Sequence, residues 1–128
     1  VGGTGSPSFT RAINRVMYSS NAPIVRNFID RSVVLTTLGS TSPIFNIEGT
    51  DSIQFSITVG AITTTAPQVQ LEVSDDGVNF ALIGNPVTAI ANLPVRSAVL
   101  NDMAKFARLK VTTAGVGVTA NFVNIKAI

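Results

Sequence analysis

The chain has 128 residues, enough for one domain with a single hydrophobic core and too few for a second. Hydrophobic residues make up 45% of it and charged residues 12%, which excludes an intrinsically disordered chain, and abundant valine, isoleucine and threonine favour strands over helices. It contains no histidine and no cysteine, which excludes disulfides, thiolate metal sites and Cys–His or Ser–His catalysis.

The formal net charge of +2 is concentrated at the N-terminal end. Residues 1–31 hold four arginines against one aspartate, a net +3, whereas residues 32–128 hold five basic and six acidic residues, a net −1. We therefore predict two parts, an N-terminal arm over 1–31 and a β-sandwich domain over 32–128. A basic arm on a nearly neutral body suggests docking on an acidic surface, and the alternative is a solvated leader whose arginines maintain solubility.

The arm begins with a Gly/Ser/Pro-rich stretch over residues 1–8 and then interleaves arginines with apolar residues. The spacing of Phe9, Ile13, Val16 and Met17 places them on one face of a short helix, with Ser8 as its N-cap. We expect no other helix. The candidate partner-binding residues are Phe9, Arg11, Ile13, Arg15, Met17, Arg26, Phe28, Ile29 and Arg31. The alternative is that the apolar members simply cover the body's own core.

The body contains a series of short apolar-alternating segments separated by turn residues every 8 to 12 positions. Strands are predicted at 33–38, 43–48, 52–59, 69–74, 78–83, 87–90, 95–100, 106–112 and 116–128. Eight or nine short strands without crossover helices indicate an antiparallel β-sandwich or barrel, and we favour a jelly roll. Within 116–128 the apolar pattern changes phase, which predicts a bulge or a strand covered on both faces.

The segment Asp75-Asp76-Gly77 separates two of these predicted strands and admits two interpretations. Its oxygens suit a hard cation such as calcium, but the EF-hand spacing and its later bidentate glutamate are missing. A hairpin turn explains it fully, because Asp favours early turn positions and glycine adopts positive φ. In this hairpin, Val69, Leu71 and Val73 would face the core, and Phe80 and Leu82 would return to it.

Other chemistry has little support in the sequence. The seven carboxylates fall mostly at predicted strand ends and turns, which favours solvated loops over a catalytic pair. Alternation places Arg108 and Lys110 on one strand face, which could contact a nucleic-acid backbone. The chain has no tryptophan and one tyrosine, Tyr18, so it has few aromatic side chains on which bases could stack. We therefore expect no enzyme activity, no cofactor, no metal and no direct nucleic-acid binding. No apolar run reaches 18 residues and no secretory signal is recognisable, so no membrane contact is expected.

Two segments together resemble a known family of folds. "VQLEVSDDGVNFALIG" at 69–84, followed by "KFARLKVTTAG" at 105–115, is similar to the Asp-Gly hairpin and arginine-bearing strand of discoidin-like, galactose-binding-type jelly rolls. The matching positions include the aromatic Phe80 and Arg108. The resemblance implies a jelly roll. Family members that bind sugars or lipids use exposed aromatic or His-rich loops and often a disulfide, and this sequence has neither.

The whole chain, a small cysteine-free β-domain with a basic arm, resembles the head decoration, or cement, proteins of tailed bacteriophages. The resemblance implies a structural virion protein on the capsid exterior, a homotrimer whose arms bind the major capsid protein and stabilise the shell. One alternative is a carbohydrate-binding jelly-roll module of a phage tail or adhesion apparatus, using the loops at 75–79 and 101–102. Another is a ring-forming tail or baseplate subunit.

Overall fold

The computed structural model describes residues 24–119 and 121–128. These residues form eleven strands and no helix: β1 Arg26–Asp30, β2 Phe45–Asn46, β3 Ser52–Val59, β4 Ile62–Thr65, β5 Gln68–Ser74, β6 Ala81–Thr88, β7 Pro94–Arg96, β8 Leu100–Asn101, β9 Phe106–Thr113, β10 Val116–Val118 and β11 Asn121–Ala127. Within these ranges there is accordingly no helix with the length and apolar character to span a bilayer.

All eleven strands pair antiparallel, in two larger sheets and a two-stranded ribbon. The first sheet has the order β1-β11-β3-β7, with β8 pairing farther along β3, and the second has the order β2-β9-β5-β6. A separate two-stranded ribbon pairs β10 with β4. Leaving the ribbon aside, the chain alternates between the two large sheets except at the β5–β6 hairpin and at the step from β7 to β8, a winding typical of a jelly roll. The predicted antiparallel β-sandwich is confirmed.

The core lies between the two sheets and comes from strict alternation along their central strands. Every second residue of β3, from Ile53 to Val59, is at most 2% exposed. The facing positions of β9 and β5 are equally buried, for example Leu109 and Leu71 at 0%. Burying one such side chain contributes about 2 kcal/mol relative to leaving it exposed, so these rows fix which face of each strand points inward.

The predicted strand at 33–38 is absent, although its apolar alternation is real. Val33 and Leu35 are buried at 4% and 2% exposure, while Val34 between them is exposed. The backbone of this segment bonds to a turn and to a distant loop: Thr37 N–H donates to the Val34 carbonyl, and Gly115 N–H donates to that of Leu35. The prediction was wrong because the side chains of this segment alternate in burial as in a strand, but its backbone pairs with no neighbouring strand.

The β5–β6 hairpin forms, but the return strand is out of phase with the prediction. Val69, Leu71 and Val73 are buried as expected. Leu82, however, lies on the outer face opposite Glu72 and is 45% exposed, so its predicted core position is wrong. Ile83 packs against the core instead. The six-residue connection between the strands sets this phase, and turn length cannot be derived from alternation alone.

The strand predicted at 116–128 is two strands with different partners. β10 pairs with β4 in the ribbon, where the register shifts between Val116 and Val118, whereas β11 pairs with β3 in the first sheet. Val123, Ile125 and Ala127 then continue the core face of β11 without interruption.

Candidate protein-binding surface

Five of the predicted arm residues lie outside the described residues: Phe9, Arg11, Ile13, Arg15 and Met17. The predicted short helix also lies there, so these remain predictions. The last eight arm residues, 24–31, are described, and five of them form β1, which pairs with β11 at the edge of the first sheet.

Arg26 and Phe28 tie this edge strand to the opposite sheet. The Arg26 guanidinium donates to the carbonyl oxygens of Asn46 and Glu48 at 3.1 and 3.0 Å. The ring of Phe28 stacks on that of Phe45 in β2, with centroids 4.3 Å apart. Both side chains thus make contacts within the chain, and the contact of Phe28 is the kind that the alternative interpretation of the apolar arm residues anticipates. A partner-binding role for either one stays a prediction.

Ile29 points the other way. It is 54% exposed and belongs to the outer, solvent-facing side of the first sheet. Arg31 follows β1 directly and is exposed. Of the four candidate partner-binding residues that the structure describes, these two are therefore the exposed ones.

The outer face of the first sheet carries a trough that we call the β3 groove. It has a volume of about 280 Å³ and is lined by Ile29, Gln54, Phe55, Ser56, Thr58, Pro94, Arg96, Asn124 and Lys126. The strand register explains why these residues lie together. One row across four strands contains Ile29, Asn124, Ser56 and Arg96, each opposite the next. In the next row, Lys126 stands opposite Gln54.

The amide side chains of the groove are held by hydrogen bonds. Gln54 Nε2 donates to the Ser97 carbonyl at 3.0 Å. Asn124 Nδ2 donates to Asn27 Oδ1 at 2.7 Å and to the Phe28 carbonyl at 2.9 Å. Because the amide N–H groups of both side chains donate to these partners, their carbonyl oxygens point away from them. The hydrogen bonds therefore hold the polar side chains of the groove in fixed orientations.

The groove is positively charged. Arg96 and Lys126 are exposed, and among the described residues neither of these two side chains has an ion-pair partner. No carboxylate lines the trough. A second depression of about 160 Å³, lined by Ser52, Ile53, Gln54, Val99, Lys126 and Ile128, shares two residues with it. The two depressions follow β3 from Thr58 to Ser52.

The Asp75-Asp76-Gly77 segment is a tightly bonded turn. Asp76 Oδ1 accepts from the Ser74 hydroxyl and from the N–H groups of Val78 and Asn79, and its Oδ2 accepts from Asn79 Nδ2, each at 2.8 Å. These bonds, led by that of the Asn79 N–H, hold the pKa of Asp76 well below its usual range. Gly77 has φ of +76°, as the turn interpretation requires. The two carboxylate oxygens are committed to the turn itself.

Arg108 fastens the same hairpin to β9. Its Nε lies 2.8 Å from Glu72 Oε1, and its guanidinium carbon lies 4.0 Å from the centroid of the Phe80 ring. Glu72 is only 5% exposed although it is on the outer face. Arg108 and Lys110 do share that face, as predicted, but the charge of Arg108 is used by Glu72. The residues that carried the family resemblance therefore stabilise the fold.

The β3 groove was not found from the sequence. The outward row of β3, from Ser52 to Thr58, is visible in the alternation, but Arg96 and Lys126 gave no local signal. They meet this row only through pairing with strands about 40 and 70 residues farther along the chain. Among the described acidic, histidine and cysteine residues, no group of three comes together as a metal site.

Comparisons with known proteins found similarity in structure. No family model and no curated protein sequence matches the chain. The SPBc2 prophage-derived protein YomS is similar in structure, with 11% identity, a TM-score of 0.50, and coverage of 84% of this chain and 95% of that one. At this identity the likeness is one of fold.

Two further solved structures show weaker similarity. A protein from Sulfurospirillum deleyianum has 10% identity, a TM-score of 0.46, and coverage of 84% of this chain and 99% of that one. The CBM22-1 and GH10 modules of Clostridium thermocellum endo-1,4-beta-D-xylanase 10B, complexed with xylohexaose, have 12% identity and a TM-score of 0.41. That match covers 80% of this chain and 21% of the xylanase chain.

Proposed function

We propose that this protein is a non-enzymatic structural component of a tailed-phage virion, a decoration protein on the capsid exterior that stabilises the shell. In this proposal the arm binds the major capsid protein and the jelly-roll body associates with copies of itself as a homotrimer. The observation that carries it is the anchoring of the arm's end. Arg26 and Phe28 tie β1 to the opposite sheet, so a force on residues 1–23 would be transmitted to the sandwich rather than to a free strand.

The chemistry of the chain supports a role in binding. Histidine and cysteine are absent from the whole sequence. Two of the carboxylates are already engaged, because Asp76 accepts four hydrogen bonds within its turn and Glu72 pairs with Arg108. Non-covalent assembly needs none of the groups that are missing.

The similarity of fold to a prophage-derived protein supports a phage origin. YomS, which shares the jelly roll over most of both chains, is described as prophage-derived. Jelly rolls are common in viral capsid proteins, where two packed sheets provide a rigid body and expose several loops and faces for assembly. Because one fold serves many functions, this neighbour supports the proposal through its fold and its phage origin alone.

The arm has the composition expected of a segment that gains order on binding. Phe9, Ile13 and Met17 could bury apolar surface against a partner, and Arg11 and Arg15 could set electrostatic register. Ordering such a segment costs conformational entropy, which the burial of these anchors must exceed.

The test uses DNA-filled heads of the phage that encodes the chain, prepared without this protein. We expect the full chain to co-sediment with them to saturation and to raise their heat resistance. A variant lacking residues 1–23, which leaves β1 intact, should bind at least about tenfold more weakly. Lys105→Gln, an exposed charge outside the arm, is the control and should bind normally. If the shortened chain saturates the heads as the full chain does and gives them the same heat resistance, the arm does not bind the shell.

Two measurements separate the proposal from its alternatives. Hundreds of copies per particle support decoration, whereas a few dozen or fewer indicate a tail or baseplate ring. A glycan array tests the carbohydrate-binding alternative: binding that is lost in Asp76→Ala and Asn79→Ala variants would favour it over decoration. A further measurement, light scattering of the free protein, tests the homotrimer and should give three times the mass of one chain.

A further inference from the structure

We propose that the β3 groove binds an extended acidic peptide segment of a protein partner. This inference concerns the jelly-roll body and does not depend on the arm or on the identity of the particle. Its basis is a sheet face on which two exposed cations, Arg96 and Lys126, stand without an anionic partner among the described residues.

The positive charge of the groove is local rather than a reflection of overall composition. The described part of the chain has seven basic and seven acidic side chains, so a random face would be neutral. Collecting two cations and no carboxylate in one trough favours a partner of opposite charge. Residues 1–23 carry Arg11 and Arg15 and no acidic residue, so the chain's own N-terminal segment has the wrong charge to occupy it.

The strand register allows both cations to reach one carboxylate. Arg96 stands opposite Ser56 and Lys126 opposite Gln54, on the two sides of β3 and two residues apart along it. With strands about 4.8 Å apart and a rise of about 3.3 Å per residue, their Cα atoms are about 12 Å apart. A carboxylate above β3, between Gln54 and Ser56, lies within reach of both long side chains. The Ser56 hydroxyl can donate to the same group.

The shape of the surface favours an extended chain with apolar residues at both ends. Ile29 and Pro94 line the part near Ser56 and Thr58, and Val99 and Ile128 line the part near Ser52. The distance from Thr58 to Ser52 along β3 is about 20 Å, the length of about six extended residues. One or two central acidic residues flanked by apolar ones would therefore match the groove.

A sugar or a nucleic-acid base fits these residues less well. Stacking against exposed aromatic rings is a main contribution to the binding of both ligands. The one aromatic residue among the described lining, Phe55, is 1% exposed and packs in the core. The remaining contacts would be charge and hydrogen bonds, which a carboxylate uses better than a neutral sugar does.

The probe is a fluorescein-labelled nine-residue peptide, Thr-Val-Thr-Glu-Val-Glu-Thr-Val-Thr, titrated with the full 128-residue chain and followed by fluorescence anisotropy. The double variant Arg96→Gln/Lys126→Gln should bind it about five- to tenfold more weakly. Lys110→Gln, on the outer face of the opposite sheet, and Arg11→Gln/Arg15→Gln, in the arm, should each change affinity less than about twofold. Replacing both glutamates of the peptide by glutamine should weaken binding as the double variant does.

A second measurement keeps the test independent of variant folding. Amide shifts of the unmodified protein on adding the peptide should map to Ser56 and Asn124 rather than to β9. The proposal is overturned if the double variant binds normally, if the shifts lie elsewhere, if the arm variant alone loses binding, or if no binding occurs at about 1 mM peptide. Binding of xylohexaose or an oligothymidylate in the groove, in place of the peptide, would also overturn it. Failure of the head-binding experiment would leave these results unchanged.

Discussion

Phe28 of β1 and Phe45 of β2 stack with their ring planes only 13° from parallel, and this contact joins the edges of the two sheets. β1 and β2 are consecutive in the chain but belong to different sheets, so their edges have no ladder hydrogen bonds to share. The stack and the two hydrogen bonds from Arg26 supply the connection in place of a ladder. The end of the predicted arm is thereby part of the folded body.

Phe28→Ala should therefore destabilise the protein by about 2 kcal/mol, less than a fully buried phenylalanine costs, because Phe28 is only partly buried. Urea unfolding of the variant measures this value. A double-mutant cycle with Phe45→Ala should give a coupling of about 1 kcal/mol, the range of aromatic pairs. Val25→Ala, at a residue 59% exposed, is the control and should change stability by less than about 0.5 kcal/mol. Additive effects of the two phenylalanine variants would show that the rings do not interact.

The second prediction concerns the ion pair on the outer face of the second sheet. Arg108→Met should cost about 2 kcal/mol, because it leaves the Glu72 carboxylate, 5% exposed, without its partner and removes the contact with Phe80. The double variant Glu72→Met/Arg108→Met should recover at least half of that loss, since it leaves no buried charge. Chemical denaturation of the unmodified protein and the two variants gives the comparison. A double variant less stable than Arg108→Met would show that the pair is favourable in itself.

The fold was more predictable from the sequence than the groove, and the reason is the range of the interactions. β3 was predicted with its observed bounds because Ile53, Phe55, Ile57 and Val59 alternate strictly. β6 was mispredicted because its phase depends on the length of a turn. The β3 groove exists only when β7 and β11 are registered on the two sides of β3, and no local pattern contains that information.

The third prediction tests the backbone of the Asp-Gly turn. Gly77 has φ of +76°, a conformation that alanine adopts at a cost of about 1 kcal/mol and asparagine at a smaller one. A Cβ at this position would lie 3.6 Å from the Phe106 ring, an ordinary contact, so strain and not a clash should determine the effect. Gly77→Ala should therefore lower stability by about 1 kcal/mol and Gly77→Asn by roughly half as much, as measured by urea unfolding. Equal losses would indicate that the side chain, and not φ, is responsible.

The last prediction follows from the lowered pKa of Asp76 and concerns the dependence of stability on pH. The carboxylate accepts four hydrogen bonds in the folded turn, so its folded pKa lies below the value of about 3.9 expected in the unfolded chain. A group with a depressed folded pKa contributes stability above its unfolded pKa and loses that contribution as the pH falls through the folded one.

Asp76→Asn should accordingly melt at a lower temperature than the unmodified protein at pH 7, and the difference should shrink progressively as the pH is lowered below about 4. Thermal melts followed by circular dichroism between pH 7 and about pH 2.5 measure this convergence. Asp75→Asn is the matched control, because Asp75 is exposed and accepts no hydrogen bond among the described residues. Its melting temperature should follow that of the unmodified protein across the range. A constant offset for Asp76→Asn at every pH would mean that it disturbs the turn through its shape and that the ionised carboxylate is not the stabilising group.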